Sequence, residues 1–300
     1  MRVINSELLR GLRTSYSTLF HARLESAPSH FKMVCSSVPS SGRSNTYSGL
    51  RGMSGMREWV GPRIIDNLSE FTYELVNKSF EKTVGINRED MEDDNLGAYQ
   101  LAFDDMFDRG ASHPDELAFE AILNGFDRIC FDGQSMFDSD HPVLDADGET
   151  MGVYSNVQAG AGQPWFLLCT QRALRPFIMQ NRKDSQFVAM DNPDDERVFM
   201  NKQFLYGIDS RRQVGYGLPQ TVFASQAELT AANYAAARQA IMEMRGDGGR
   251  KLGLMPDTLL VGPSNEGKGR KIVVNSLASG GETNEWAGSA KLLVSPWVVV

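Results

Sequence analysis

Asp132-Gly133-Gln134-Ser135-Met136-Phe137-Asp138-Ser139-Asp140-His141-Pro142 is the stretch on which the reading of this chain turns. Taken as ligands, Asp138, Asp140 and His141 are the oxygen and nitrogen donors of a hydrolytic metal centre. Taken as punctuation, Asp132-Gly133 and His141-Pro142 are turn chemistry that closes a loop. Just downstream, Asp145-Ala146-Asp147-Gly148 begins a calcium-loop spacing that its later residues do not complete. The structural loop is the preferred reading, and no metal is expected.

Working outward, the segment before this stretch reads as helix. Leu96, Tyr99, Phe103 and Met106 share one face. Ser112 and Pro114 fit the cap and first turn of a restarted helix, with Leu117, Ala121 and Ile122 continuing the apolar face to Gly125. The expectation is a long rod, kinked near Pro114. Upstream, Glu89 to Asp94 is an acid cluster, read as a solvated turn whose carboxylates favour the next helix N-terminus. Before it, Phe71, Tyr73 and Leu75 alternate with polar residues, as do Val84 and Ile86. That period of two predicts a hairpin turning near Asn77–Lys78 and entered through Trp59-Val60-Gly61-Pro62-Arg63. On the other side, a helix is expected from about Thr230 to Arg245. Strand-like runs are Trp165–Cys169, Thr258–Val261, Ile272–Val274 and Leu292–Val300. Helices and strands mix without βαβ alternation, so the class is α+β.

The N-terminal segment differs from the rest. Residues 1–63 carry nine basic and three acidic side chains, a charge of +6, which leaves −14 for the remainder of a chain whose net charge is −8. Ile4, Leu8, Leu12, Tyr16, Leu19 and Phe20 form an apolar stripe at helical spacing. Ser36 to Gly55 is Ser- and Gly-rich without periodicity, and is expected to be an extended or mobile strip. The segment shares its acid-poor, Ser-rich character with organelle transit peptides, but Arg10 and Arg13 interrupt any secretory apolar core. The preferred reading is a surface arm that needs a partner to lie on.

Composition excludes several classes. The chain has 300 residues, 41% hydrophobic and 23% charged, which is globular. Its longest apolar stretch is far short of the roughly 20 residues of a spanning helix. Cys35, Cys130 and Cys169 are odd in number and far apart, which argues against a disulfide framework. The acidic balance argues against a general nucleic-acid binder.

Two further patterns touch on chemistry. Gly262 to Gly269 fits the phosphate-loop pattern up to Lys268 and then presents Gly269 where a magnesium-binding hydroxyl belongs. It is read as a Gly-rich strand-to-helix loop. Four histidines (His21, His30, His113 and His141) show no nucleophile beside them in sequence.

Taken in order, these pieces resemble the major head (capsid) subunit family of Mu-like tailed phages. The resemblance rests on Trp59-x-Gly61-x-Arg63, then Tyr73-x-Leu75-x-Asn77-x-x-Phe80-Glu81-x-Thr83-Val84, then Gly97-x-Tyr99. It continues through His113-Pro114, Leu123-x-Gly125, the Asp132–Pro142 block, and Pro176-Phe177-Ile178-x-Gln180-x-Arg182. Tyr206-Gly207, Gly215-Tyr216-Gly217 and Pro256-x-x-Leu259-Leu260-Val261 complete it. The Gly- and charge-rich stretch 262–271 departs from the regular helix start expected of the family.

The resemblance implies the Hong Kong 97 type of capsid fold. It divides the chain into an N-terminal arm (1–55), an extended β-hairpin loop (56–95), and a spine helix with peripheral domain (96–164). A mainly axial domain (165–290) and a return to the periphery (291–300) follow. It implies a non-enzymatic protein without cofactors that assembles as hexamers and pentamers into an icosahedral shell around double-stranded DNA. Implied partners are copies of itself, a separate scaffold or protease, portal and decoration proteins, and packaged DNA bound non-specifically, with no membrane. The implied location is the virion, assembled in a bacterial host's cytoplasm. Assembly contacts are assigned to Arg2, Leu8, Arg10, Leu12, Arg13, Leu19 and Arg23 in the arm, and to Trp59, Arg63, Tyr73, Phe80, Glu89 and Asp90 in the hairpin. The competing readings are a metal-dependent or nucleotide-binding enzyme and a cellular nanocompartment shell of the same fold.

Overall fold

The computed structural model describes residues 4–48, 59, 72–93, 96–145, 148–278 and 280–299. Its helices are α1 (Ser6–Ser26), α2 (Phe31–Val34), α3 (Arg88–Glu92), α4 (Gln100–Leu123), α5 (Glu196–Asn201), α6 (Ala231–Glu243) and α7 (Glu266–Gly269). The strands begin with β1 (Cys35–Pro39), β2 (Ser44–Ser48), β3 (Thr72–Val76), β4 (Lys78–Asn87), β5 (His141–Leu144), β6 (Thr150–Tyr154) and β7 (Val157–Gln158). They continue with β8 (Trp165–Leu168), β9 (Phe177–Met190), β10 (Gln203–Tyr216), β11 (Val222–Ser225) and β12 (Arg245–Gly246). The last are β13 (Arg250–Lys251), β14 (Thr258–Val261) and β15 (Lys291–Val294). None of the described helices is long and apolar enough to cross a membrane.

Two sheets carry the architecture. An elongated sheet has the order β1-β9-β10-β4, and a compact one the order β15-β14-β8-β11-β7. In β8, Trp165 to Leu168 are all buried because both faces of the compact sheet are covered. Phe166 and Leu168 face a core shared with α4, whereas Trp165 and Leu167 face α6 and the segment after β14. In β9, by contrast, exposed residues of the distal half alternate with half-buried ones and the buried Ser185.

Helix α4 is the member common to both halves. Phe103, Met106 and Phe107 enter the core over the elongated sheet, while Ala118, Phe119, Ala121 and Ile122 enter the core beside the compact one. At about 1.5 Å per residue its 24 residues span roughly 36 Å. Sequence placed a restart at Ser112, but the helix is continuous and Pro114 lies inside it. Neighbouring packing overrides the local signal. Gly110 lets α4 sit against β10, since a Cβ there would come within 2.5 Å of Ile208 Cδ1.

Several expectations are corrected. The hairpin with a turn at Asn77–Lys78 does not form. β3 pairs antiparallel with β2, and β4 pairs with β10. Asn77 is instead a buried junction whose Nδ2 donates to Ser40 Oγ and the Gly42 carbonyl. Ser36 to Ser48 is not a loose strip but supplies β1 and β2; residues 49–55 lie outside the described residues. The acid cluster is largely the short helix α3, not a turn. Ile272–Val274 is not a strand. It closes a helical run from Pro263 in which Ile272 and Val273 face the core against α6. The final apolar run is a strand only to Val294, before Ser295-Pro296.

The arm also differs from its expectation. Asn5 caps α1 by accepting from the Leu8 N–H at 2.8 Å. The helix buries Leu9, Tyr16 and Phe20 against its own subunit, with Leu8 and Leu12 half-buried and Leu19 exposed. Tyr16 and Phe20 of the expected stripe are thus buried and Leu9 joins them, while Leu8, Leu12 and Leu19 lie to its side. Burying each such side chain contributes about 1.5–3 kcal/mol. Asp115 of α4 fixes the end of the arm by accepting from the backbone N–H groups of His30 and Phe31 at 2.8–3.0 Å.

Candidate functional site: the loop lock and the assembly surfaces

The Asp132–Pro142 stretch is held by a buried pair. Asp132 Oδ2 lies 2.7 Å from His141 Nδ1, and their side chains are 2% and 0% exposed. Asp132 Oδ1 also accepts from Cys130 Sγ at 3.0 Å and from the Gln134 N–H at 3.1 Å. Burial raises the Asp132 carboxyl, but the His141 and Cys130 hydrogen bonds outweigh it and leave its pKa below the ordinary value. Asn156 completes the lock. It accepts from the Asp138 N–H at 2.9 Å and donates to the carbonyls of Met136 and Pro219 at 2.8 and 3.1 Å.

This geometry regroups the suspected ligands. Asp138 and Asp140 act on each other, which raises the Asp140 carboxyl, while His141 turns inward to Asp132. The donor atoms that converge, within 4.8 Å of one another, belong to Cys130, Asp132 and His141. Sequence reading missed Cys130 because nothing local marks it. These three are linked by hydrogen bonds, and burial followed by the Asp132 charge raises the Cys130 thiol, opposing the thiolate a metal needs. Asp147 lies outside the described residues. Among the described residues, Cys35, Cys130 and Cys169 are free and buried.

The near-miss phosphate loop is engaged elsewhere. Lys268 Nζ bonds Glu228 Oε1 at 2.9 Å on the surface. Gly269 is buried, and a Cβ there would meet Leu292 Cδ1 at 2.7 Å. Close packing of the helical run on the sheet thus accounts for the glycine.

Of the arm residues, Arg10 and Arg13 are exposed, Arg23 pairs with Asp108 at 3.5 Å, and Arg2 lies outside the described residues. Of the hairpin residues, Trp59 is 70% exposed, and Arg63 lies outside the described residues. The Tyr73 hydroxyl accepts from the Tyr216 N–H at 3.3 Å, at the root of the β2–β3 pair. Phe80 meets His113 edge-on at 4.4 Å, Glu89 pairs with Lys202 at 3.2 Å, and Asp90 accepts from the Tyr99 hydroxyl at 2.5 Å. These last three are therefore placed in the subunit body. Large apolar side chains not singled out from sequence stand out to solvent: Leu101 (81%), Phe199 (78%) and Met200 (69%).

The family model described as Mu-like prophage major head subunit gpT matches residues 9–298. The chain belongs to the Mu-like major head subunit family. It is 38% identical to the major capsid protein of Escherichia phage Mu over 99% of this chain and all of that one. It is 35% identical to the Mu-like prophage FluMu major head subunit of Haemophilus influenzae, over 92% of each. The chain in the procapsid of bacteriophage JBD30 superposes with a TM-score of 0.84 at 38% identity, covering 98% of this chain and all of that one. The JBD30 capsid gives 0.78 at 28% identity, covering 99% and 100%. The fold is therefore the tailed-phage major capsid fold of Hong Kong 97 type. This Mu-like head subunit is a structural capsid protein, not an enzyme.

Proposed function

We propose that this head subunit assembles as hexamers and pentamers into an icosahedral shell that encloses double-stranded DNA. Support comes chiefly from end-to-end similarity to the JBD30 procapsid and capsid chains. Another JBD30 capsid is described as decorated with minor capsid protein trimers, and a decoration partner is proposed here by the same likeness. A separate scaffold or protease, a portal and assembly in the bacterial cytoplasm complete the reading.

Within the shell, the β2–β3 pair, Ser44–Ser48 against Thr72–Val76, is the root of the extended loop assigned to 56–95. α4 is the spine helix. The elongated sheet with α1 and α4 forms the peripheral domain, and the compact sheet with α6 the axial domain. Trp59, Leu101, Phe199 and Met200 are the contact residues this reading selects from the exposed large apolar side chains. Arg10 and Arg13 on the exposed face of α1 meet acidic surface of a neighbour. Co-expression with the adjacent head genes and negative-stain electron microscopy tests the reading. Closed shells are expected, and persistently unassembled subunits would overturn it.

A further inference from the structure

Pro39, Asn181, Arg212 and Lys78 stand in one row across the elongated sheet, from its β1 edge to its β4 edge. The β2–β3 ribbon leaves the sheet from that row. Its first strand arrives from β1 through residues 40–43, and its second passes into β4 through Asn77. Among the described residues the two strands pair with each other and with neither large sheet. A two-stranded ribbon is marginal on its own in water, so contacts at the root must fix its direction.

Gln180 of β9 supplies the central contacts, and its side chain is fully buried. Its Nε2 donates to the Leu75 carbonyl and to Asn77 Oδ1, each at 2.9 Å. Its Oε1 accepts from the Tyr47 hydroxyl at 2.9 Å. Tyr47 lies on β2, Leu75 on β3 and Asn77 at the exit, so one amide grips both strands with its two N–H donors and its oxygen. Asn77 Nδ2, bonded to Ser40 Oγ and the Gly42 carbonyl, carries the grip across to the other connection. There Ser40 Oγ donates to Asn45 Oδ1 at 2.8 Å, and the Ser40 N–H donates to the Asn181 carbonyl at 2.9 Å. On β10, Gly215 leaves room for the ribbon, since a Cβ there would meet Leu75 Cδ2 at 2.8 Å. Hydrogen bonds are directional, and a buried polar network whose members are paired specifies one arrangement.

We propose that Gln180 is the positioning residue of the extended loop: its amide sets the direction in which the ribbon leaves the subunit, and through it where the loop meets a second copy. The proposal rests on the shell-forming reading above. An apolar side chain of the same length would fill the same space but give the two strands no directed contact.

Hydrogen–deuterium exchange on the free subunit, joined to electron microscopy of shells made with the assembly partners, tests the proposal. Gln180→Met keeps an unbranched side chain and removes the amide. Exchange of the β2 and β3 amides is expected to rise by about tenfold or more, the scale of losing a buried hydrogen bond, while β9 and β10 keep their protection. The same variant is expected to give misshapen or unclosed shells. Gln180→Glu keeps the acceptor for Tyr47 but lacks a donor until its carboxyl is protonated. Corrected for intrinsic exchange, ribbon protection should therefore recover on acidification in Q180E and not in Q180M. Tyr47→Phe, at a half-buried position, removes one of the three bonds and should raise exchange in the ribbon alone. Wild-type ribbon protection in both Q180M and Y47F would overturn the proposal, and so would a loosened ribbon in shells of normal size and shape. Protection lost throughout β9 and β10 in Q180M, with wild-type exchange in Y47F, would reduce Gln180 to a core-stabilising residue and overturn it too. Failure of the wild-type chain to close shells would strike the assembly reading instead, because exchange in the free subunit does not depend on it.

Discussion

The rings of Tyr16 and Phe103 stack with centroids 4.1 Å apart and planes 5° from parallel. Tyr16 also meets Tyr206 edge-on at 5.7 Å, so one residue of the N-terminal helix closes an aromatic cluster over the elongated sheet. Such pairs add about 0.5–1.5 kcal/mol beyond the area they bury. The arm is thus part of the subunit core before any neighbour is present. Phe20→Ala is expected to cost the free subunit about 3–5 kcal/mol, because Phe20 is fully buried. Leu19→Ser, at an exposed position, should cost under about 0.5 kcal/mol. Urea unfolding of the unassembled subunit measures both, and equal effects would count against this docking.

Asp132→Asn should destabilise the subunit by about 1–3 kcal/mol, the scale of losing hydrogen bonds to a buried charged acceptor. The depressed Asp132 pKa adds a pH signature. Its stabilisation is present above the unfolded carboxylate value and is lost as pH falls through the lower folded value. Wild type and variant should therefore converge in strong acid. A stability difference that persists unchanged there would refute the account.

His113 acts in a different window. Its pKa is lowered from 6.5 to about 4, chiefly by burial and secondarily by Arg212. The folded state favours the neutral ring, so its stabilisation is present above pH 6.5 and declines as pH falls toward 4. His113→Phe should flatten the stability profile in that interval alone. Thermal melts at half-unit steps across it provide the check, and an unchanged slope would discount the assignment.

Lys268→Ala is expected to leave assembly intact and to cost less than about 1 kcal/mol, since its partner Glu228 is on the surface. No saturable ATP binding is expected from either form. Nucleotide affinity that disappears in the variant, measured by calorimetry, would reinstate the phosphate-loop reading.

Sequence carried the family because the Asp132–Pro142 block and its companions keep their order along the chain. Local elements with strong patterns were also legible. Thr258–Val261 is a strand with those bounds, and Thr230 caps α6 by accepting from the Asn233 N–H. What misled was partner choice. β3 and β4 each show a period of two, but alternation does not say that the mate of β3 is Ser44–Ser48, reached across 23 intervening residues. Continuity across Pro114 was equally hidden, because the Ser185 hydroxyl that compensates the Gly110 carbonyl is 75 residues away. Cys130 joined the Asp132–His141 pair through folding, without a spacing motif to announce it.

That compensation has a mechanical consequence. The Gly110 carbonyl sits between the two cores that α4 joins, and a single long contact from Ser185 replaces the missing helical bond. With no N–H on Pro114, the helix gives up one bond at that turn, whereas Phe177, Met179, Val214 and Tyr216 of the elongated sheet share a core with Phe166, Leu168 and Val222 of the compact one. The mutual setting of the two sheets is thus fixed by side-chain packing and tolerates the missing bond in α4.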